Sequence, residues 1–245
     1  MNRSDRSKRL LRMVFLAMMV AVGVVISPIL RVEGMCPTAH FINIVCSVML
    51  GPWYSLLCAT LIGIIRMSTM GIPPLALTGA VFGAFLSGVL YRASKGKLLF
   101  AVLGEVVGTG IIGAIVSYPV MALLMNRSGL TWLFYVPSFL IATLMGGSVA
   151  FVFLRQLCRN GVLPRFQAAL GTQSYAESTS PLSSAAAIAA LGVVLCIVVK
   201  VLDGALHPEA PAWGMVSNGI AAAGVLAALC YFVFQSVRKR TEAHD

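Results

Sequence analysis

The chain has 245 residues, of which 59% are hydrophobic and only 11% charged, and its mean hydropathy is +0.92. A soluble domain carries roughly 25% charged residues, so this composition excludes a protein whose whole surface faces water. A net charge of +10 would suggest a nucleic-acid partner in a soluble chain. Here the basic residues stand in short clusters between apolar runs, which is how topology is set in a membrane.

The apolar runs are long and unbroken, unlike the alternating segments of about ten residues that build a membrane barrel, so helices are expected to span the bilayer. The first span is expected over about Leu10–Leu30, behind Arg3, Arg6, Lys8, Arg9 and Arg12. It is read as a retained helix and not as a cleaved signal, because no small-x-small site follows closely and many further spans do. A polar stretch, Arg31–Ala39, leads to an ambiguous run from His40 to Ile65, either one long helix or two short ones broken at Gly51-Pro52-Trp53. Further spans are expected at about Pro74–Tyr91, Leu98–Leu124 and Thr131–Leu154. A polar linker at about Phe166–Pro181 precedes two last spans, about Leu182–Val201 and Ala212–Ser236.

Charge decides the ambiguous run. With a break and a cytoplasmic N-terminus, 14 of the 18 Lys and Arg fall inside, leaving Arg31, Arg66, Arg127 and Lys200 outside. A single helix would flip every later loop and split the charges 8 against 10. The positive-inside rule therefore favours two helices, and Pro52 supplies the chemistry of the break, since it lacks a helix N–H and clashes with the preceding turn. Each half has fewer apolar residues than the roughly 20 that a straight span needs. The expected result is six helices to about Leu154, a linker, and a two-helix addition, with both termini cytoplasmic.

Glu105 is the one acidic residue expected within the apolar core, where a carboxylate is expensive and normally has a partner or a function. It lies in Gly104-Glu-Val-Val-Gly-Thr-Gly110; it either contributes to a ligand site or holds two helices together. His40 and Asn43 are one turn apart on one helix face and offer a hydrogen-bonding pair at the outer mouth of a pocket, or an interfacial histidine and interhelix glue. Arg66 can face a polar or anionic ligand, or anchor the interface. Tyr118-Pro119 is expected to kink its helix and turn a ring inward. Trp132 can stack on a ligand or belong to the aromatic belt. Small residues at four-residue spacing, Ala17/Ala21, Gly79/Gly83 and Gly104/Gly108, allow close helix packing.

Several chemistries lack their residues. No GxxxxGK[ST] loop is present, so the chain cannot itself drive transport with ATP. No GxSxG, HExxH or Cys/His cluster points to hydrolase or metal chemistry, and the six cysteines lie mostly in apolar runs without CxxC spacing, as small hydrophobes. No cofactor and no nucleic-acid partner is expected.

His40-Phe-Ile-Asn43, Leu50-Gly-Pro-Trp-Tyr54, the Tyr91-Arg92 turn and Gly104-Glu-Val-Val-Gly-Thr-Gly-Ile-Ile-Gly113 with Tyr118-Pro119 together resemble the ThiW family over about residues 10–160. ThiW proteins are substrate-capture (S) components of energy-coupling factor transporters. The resemblance implies a six-helix S-component bundle, here 1–165; the cytoplasmic linker, 166–181, and the two-helix C-terminal membrane extension, 182–245, are read from hydropathy and charge and lie outside it. The resemblance implies a thiamine precursor such as hydroxyethylthiazole as ligand, in a site near the outer face; the reading of the residues themselves assigns His40, Asn43, Arg66, Glu105, Tyr118 and Trp132 to such a site. The resemblance also implies a partner module, a transmembrane T subunit and two ATPases, docked on the Ala17-Met-Met-Val-Ala21 face of the first helix. The alternative is an autonomous secondary transporter of a small polar metabolite, which ordinarily needs an ion-coupling site and often shows internal repeats.

Overall fold

The fold follows from how each apolar run ends. In the computed structural model, residues 3–28, 36–175 and 214–241 are described, with five isolated helical positions between 185 and 196. The chain divides into two units, Met1–Ala176 and Glu177–Asp245. The first contains α1 (Arg3–Ile26), α2 (Pro37–Leu50), α3 (Pro52–Met70), α4 (Leu75–Ala93), α5 (Leu98–Val107), α6 (Ala114–Leu124), α7 (Val136–Arg159) and α8 (Val162–Ala169). A single π-helical turn, Gly108–Gly113, joins α5 to α6. No strand occurs among the described residues. Five of the described helices are long and apolar enough to cross a membrane: α1, α3, α4, the continuous Leu98–Leu124 and α7. The protein is an all-α, multi-pass membrane protein.

The break in the ambiguous run lies where proline chemistry puts it. Gly51 adopts φ +91°, a left-handed conformation that a Cβ disfavours, and Pro52 opens α3 at its first position, where a missing N–H costs nothing. The 14 residues of α2 extend about 21 Å at 1.5 Å per residue, short of the roughly 30 Å hydrocarbon core. This helix survives because its neighbours enclose it: from Ile42 to Leu50 every residue is buried. An apolar helix of this kind belongs in a core, not against lipid. By contrast α1 exposes Leu10, Leu11, Met13, Val14 and Met18, the surface expected of a lipid-facing helix. Its helical turns begin at Arg3, well before the apolar stretch, because the hydropathy of a segment marks the bilayer and not the helix end.

Glycines set the separation of α4 from the long helix opposite. A Cβ built on Gly104 would stand 2.5 Å from Ser87 Cα, one on Gly108 would stand 2.6 Å from Gly83 Cα, and one on Gly113 would meet Gly79 O at 2.7 Å. The two backbones touch, which only small residues permit. Gly104 and Gly108 are four residues apart, but Gly108 and Gly113 are five apart. The π turn, bonded i→i+5, absorbs the extra residue and keeps all three glycines facing α4.

The segment expected to begin a polar linker at Phe166 folds instead as the end of α8 and packs back on the first unit. Gln167, 1% exposed, donates from Nε2 to Val48 O at 3.0 Å and to Tyr91 Oη at 3.1 Å. Thr172 Oγ1 donates to Met49 O at 2.9 Å. These carbonyls belong to the last turn of α2, where a helix leaves acceptors unpaired. Arg12 of α1 donates to the carbonyls of Leu170 and Gly171, so the basic residues at this end of the bundle also close α8.

In the second unit, α9 (Gly214–Thr241) carries the apolar stretch Asn218–Phe234. Gly224 on it abuts Gly192, a Cβ on either coming within 2.7 Å of the other's Cα. Most of the span expected at Leu182–Val201 lies outside the described residues, as do Arg31, Glu33 and Lys200.

Candidate substrate-binding site

The site is built where α2, α4 and α5 meet. Asn43 lies seven residues before the end of α2 and Glu105 seven after the start of α5. The two helices run in opposite directions, so these residues come level, about 10 Å along from the basic end. His40 Nδ1 is 2.8 Å from Glu105 Oε1, Asn43 Nδ2 donates to the same oxygen at 3.0 Å, and Thr109 Oγ1 donates to it at 3.1 Å. Three polar groups thus meet on Oε1, and with the ionised carboxylate Nδ1–H of His40 would be its third donor. The carboxyl is fully buried, and among the described residues its other oxygen, Oε2, has no partner. A buried acceptor left without a donor costs about 1–3 kcal/mol, so one oxygen is over-supplied and the other is left for a donor the described chain does not provide.

Glycines make the room for this cluster. A Cβ on Gly83 of α4 would fall 2.0 Å from Thr109 Oγ1 and 2.8 Å from Glu105 Oε2. On α7, a Cβ at Gly146 would fall 2.1 Å from Pro37 O and 2.9 Å from His40 Cβ, so α7 leans on the first turn of α2 and fixes the histidine. Ser55 Oγ donates to Asn43 O at 3.0 Å, which ties α3 to the same turn. At the opposite end from Arg12, Cys36 Sγ donates to Ser27 O at 3.0 Å and Thr38 Oγ1 to Ile26 O at 3.3 Å, joining the end of α1 to the start of α2.

Beside the cluster lies a cavity of about 100 Å³. His40 and Thr109 border it on the side of Glu105, and Arg66, Ile72 and Pro73 border it where α3 turns into α4. Gly79 and Phe139 form a further wall; a Cβ on Gly79 would fall 2.7 Å from the Phe139 ring. Arg66 is only 4% exposed, and its Nε has no partner among the described residues. The cavity is small beside drug-sized pockets of about 300–1,000 Å³, and matches a single ring with a short substituent.

Residues 13–160 match the family described as thiamine-precursor transporter protein (ThiW). The match covers more than half of the chain. The chain belongs to the ThiW family. As a ThiW-family member it is a transmembrane transporter protein for a thiamine precursor, a small-molecule substrate. No curated protein and no solved structure matches the chain.

Of the residues that the sequence reading assigned to one site, the structure brings His40, Asn43 and Glu105 into hydrogen-bonding contact and places Arg66 on the cavity that His40 borders. His40, the fourth residue of α2, borders the cavity at the end of that helix away from the basic cluster. Glu105, expected either in a ligand site or between two helices, is the residue on which His40 and Asn43 converge. Tyr118 and Trp132 stand apart. Their rings pack on each other with centroids 4.6 Å apart, Trp132 is 58% exposed, and neither borders the cavity. Tyr118 is nine residues beyond Thr109 on the same helical rod, about 14 Å further along. The sequence reading missed Thr109, whose position one turn after Glu105 is a usable local signal. It also missed Ile72, Pro73 and Phe139, whose roles depend on α3, α4 and α7 meeting and have no local signal.

Proposed function

We propose that this ThiW-family chain is the substrate-capture subunit of an energy-coupling factor uptake transporter and that it holds a thiamine precursor of the hydroxyethylthiazole type in the cavity beside His40. The observation that carries this reading is the half-satisfied carboxyl of Glu105, buried in the bilayer span and held by His40, Asn43 and Thr109 next to a ring-sized cavity. With Nδ1–H given to Glu105, His40 Nε2 is an acceptor and suits the hydroxyl of the ligand. Ile72, Pro73 and Phe139 offer apolar surface to the heterocycle. Tyr118 and Trp132 take no part in this reading of the site. No covalent chemistry is involved; capture requires only differential binding.

In this reading Ala17 and Ala21, both exposed on α1, receive the T subunit, whose two ATPase partners supply the energy. Both chain termini and the Arg92–Lys97 turn face the cytoplasm. Calorimetric titration of the purified full chain with hydroxyethylthiazole tests the ligand. Saturable binding that weakens in Asn43→Ala by about 5–150-fold, the effect of losing one buried hydrogen bond of about 1–3 kcal/mol, supports the site; equal binding by both places the ligand elsewhere. Ala17→Leu with Ala21→Leu is expected to bind normally but to abolish uptake in cells that express the T and ATPase subunits.

The buried His40–Glu105 pair favours one second reading, an autonomous proton-coupled carrier, because intramembrane acid–base pairs serve as proton relays. Uptake by proteoliposomes containing this chain alone, driven by a pH gradient, would establish that reading over the first.

A further inference from the structure

Arg66 borders the cavity and has no counter-charge among the described residues. It is 4% exposed, its Nε has no hydrogen-bond partner, and the acid–base pair found among the described residues, His40 with Glu105, does not include it. It lies in the last turn of α3, four residues before Met70, yet its side chain is buried. A guanidinium in such a place is expensive unless it is paired, and an unpaired one marks a substrate or ion pathway by default. Arginine also cannot shed its charge to escape the cost. Glu105 is not its missing partner: Oε1 is already met by three polar groups, and Oε2 lies against Gly83.

We propose that Arg66 is the counter-ion of the ligand, and that the cavity selects a thiazole-type precursor carrying a compact anionic substituent, a phosphate monoester or a carboxylate, over the neutral alcohol. This rests on the reading of the cavity as the substrate site. The planar fork of an arginine matches either anion through two parallel N–H···O bonds. The two ends of the cavity then divide the work. Arg66, beside Ile72 and Pro73, neutralises the acidic group, while His40 and Thr109 meet polar atoms of the heterocycle.

The test titrates the purified full chain with hydroxyethylthiazole, its phosphate ester and a carboxylated methylthiazole, and repeats each with Arg66→Gln and Arg66→Lys. The expected result is that one of the two anionic ligands binds at least tenfold tighter than the alcohol. Arg66→Gln should abolish that preference and Arg66→Lys should keep part of it. Which anion is preferred distinguishes ester from carboxylate. Equal or tighter binding of the alcohol by the wild-type chain overturns the inference and leaves the thiazole site standing. Should Arg66→Gln fail to fold, that wild-type comparison still decides. If no thiazole binds, the reading of the ligand has failed, and thermal melts in inorganic phosphate and in acetate take over. Stabilisation of the wild-type chain that Arg66→Lys weakens sustains an anion site at Arg66, and no stabilisation by either anion overturns it.

Discussion

The two ends of α2 carry buried polar networks of opposite character. At its C-terminal end, Val48 and Met49 carbonyls are met by Gln167 and Thr172, and Gln167 also reaches the Tyr91 hydroxyl. About two turns away, His40 and Asn43 converge with Thr109 on one oxygen of Glu105, while Oε2 and, across the cavity, Arg66 Nε have no partners among the described residues. One network is closed; the other has acceptors and donors left over. A buried group that is fully bonded needs no explanation beyond stability, whereas one left unsatisfied calls for one, and here the proposed ligand site supplies it. Satisfaction, more than burial or residue type, separates the structural end of α2 from the end proposed to bind the ligand.

The sharpest break of that contrast is Gly83→Ala. The added methyl would collide with Thr109 Oγ1 and the Glu105 carboxyl, and overpacking of this kind costs about 1–3 kcal/mol or more. Thermal melts should show marked destabilisation, and calorimetry should detect no thiazole binding. Next comes Gln167→Leu, which leaves Val48 O buried and unpaired and should cost about 1–3 kcal/mol. Here the melting temperature should fall while ligand affinity stays at the wild-type value. A loss of affinity in Gln167→Leu would mean that the two ends are coupled and that the contrast is false. Glu105→Gln sharpens it from the other side: one carboxyl oxygen becomes an NH2 donor in a site already crowded with donors, so affinity should fall about fivefold or more, one lost buried hydrogen bond being worth about 1–3 kcal/mol. If Glu105→Gln binds normally and only melts lower, the carboxyl is structural and belongs with the closed network. The smallest effect is expected from Trp132→Ala, which removes a partner of Tyr118 far from the cavity. Its stability should change by no more than about 0.5 kcal/mol and its titration should overlay the wild type.

How much of this was legible in the sequence varies with the range of the interaction. The break at Gly51-Pro52 was readable because proline and glycine act on their own backbone, and the sorting of basic clusters agreed with it. The pairing of His40 with Asn43 on one face followed from helical periodicity alone. That both meet Glu105 did not, since their bonds span 65 and 62 residues and depend on α2 being too short to cross the bilayer. The packing of Gln167 was invisible for the same reason: its acceptor lies 119 residues away, and a polar stretch with a glutamine reads locally as a linker. The aromatic pair misled in the opposite direction. Tyr118 and Trp132 have the composition of a stacking platform, and only the placement of the loop before α7 shows that they stack on each other.

The wide turn at Gly108–Gly113 also bears on how this helix tolerates changes in its length. Along an ordinary helical rod, gaining or losing one residue swings everything beyond it by about 100°, which in this bundle would carry Gly113 away from Gly79 and bring side chains against a backbone that admits none. Here the surplus residue is already stored within the span. Removing Ile112, which is 40% exposed, would let the turn close to the standard pitch with Gly113 still facing α4, so the segment behind the site is the one stretch of this rod where the chain can shorten by a residue without losing its register.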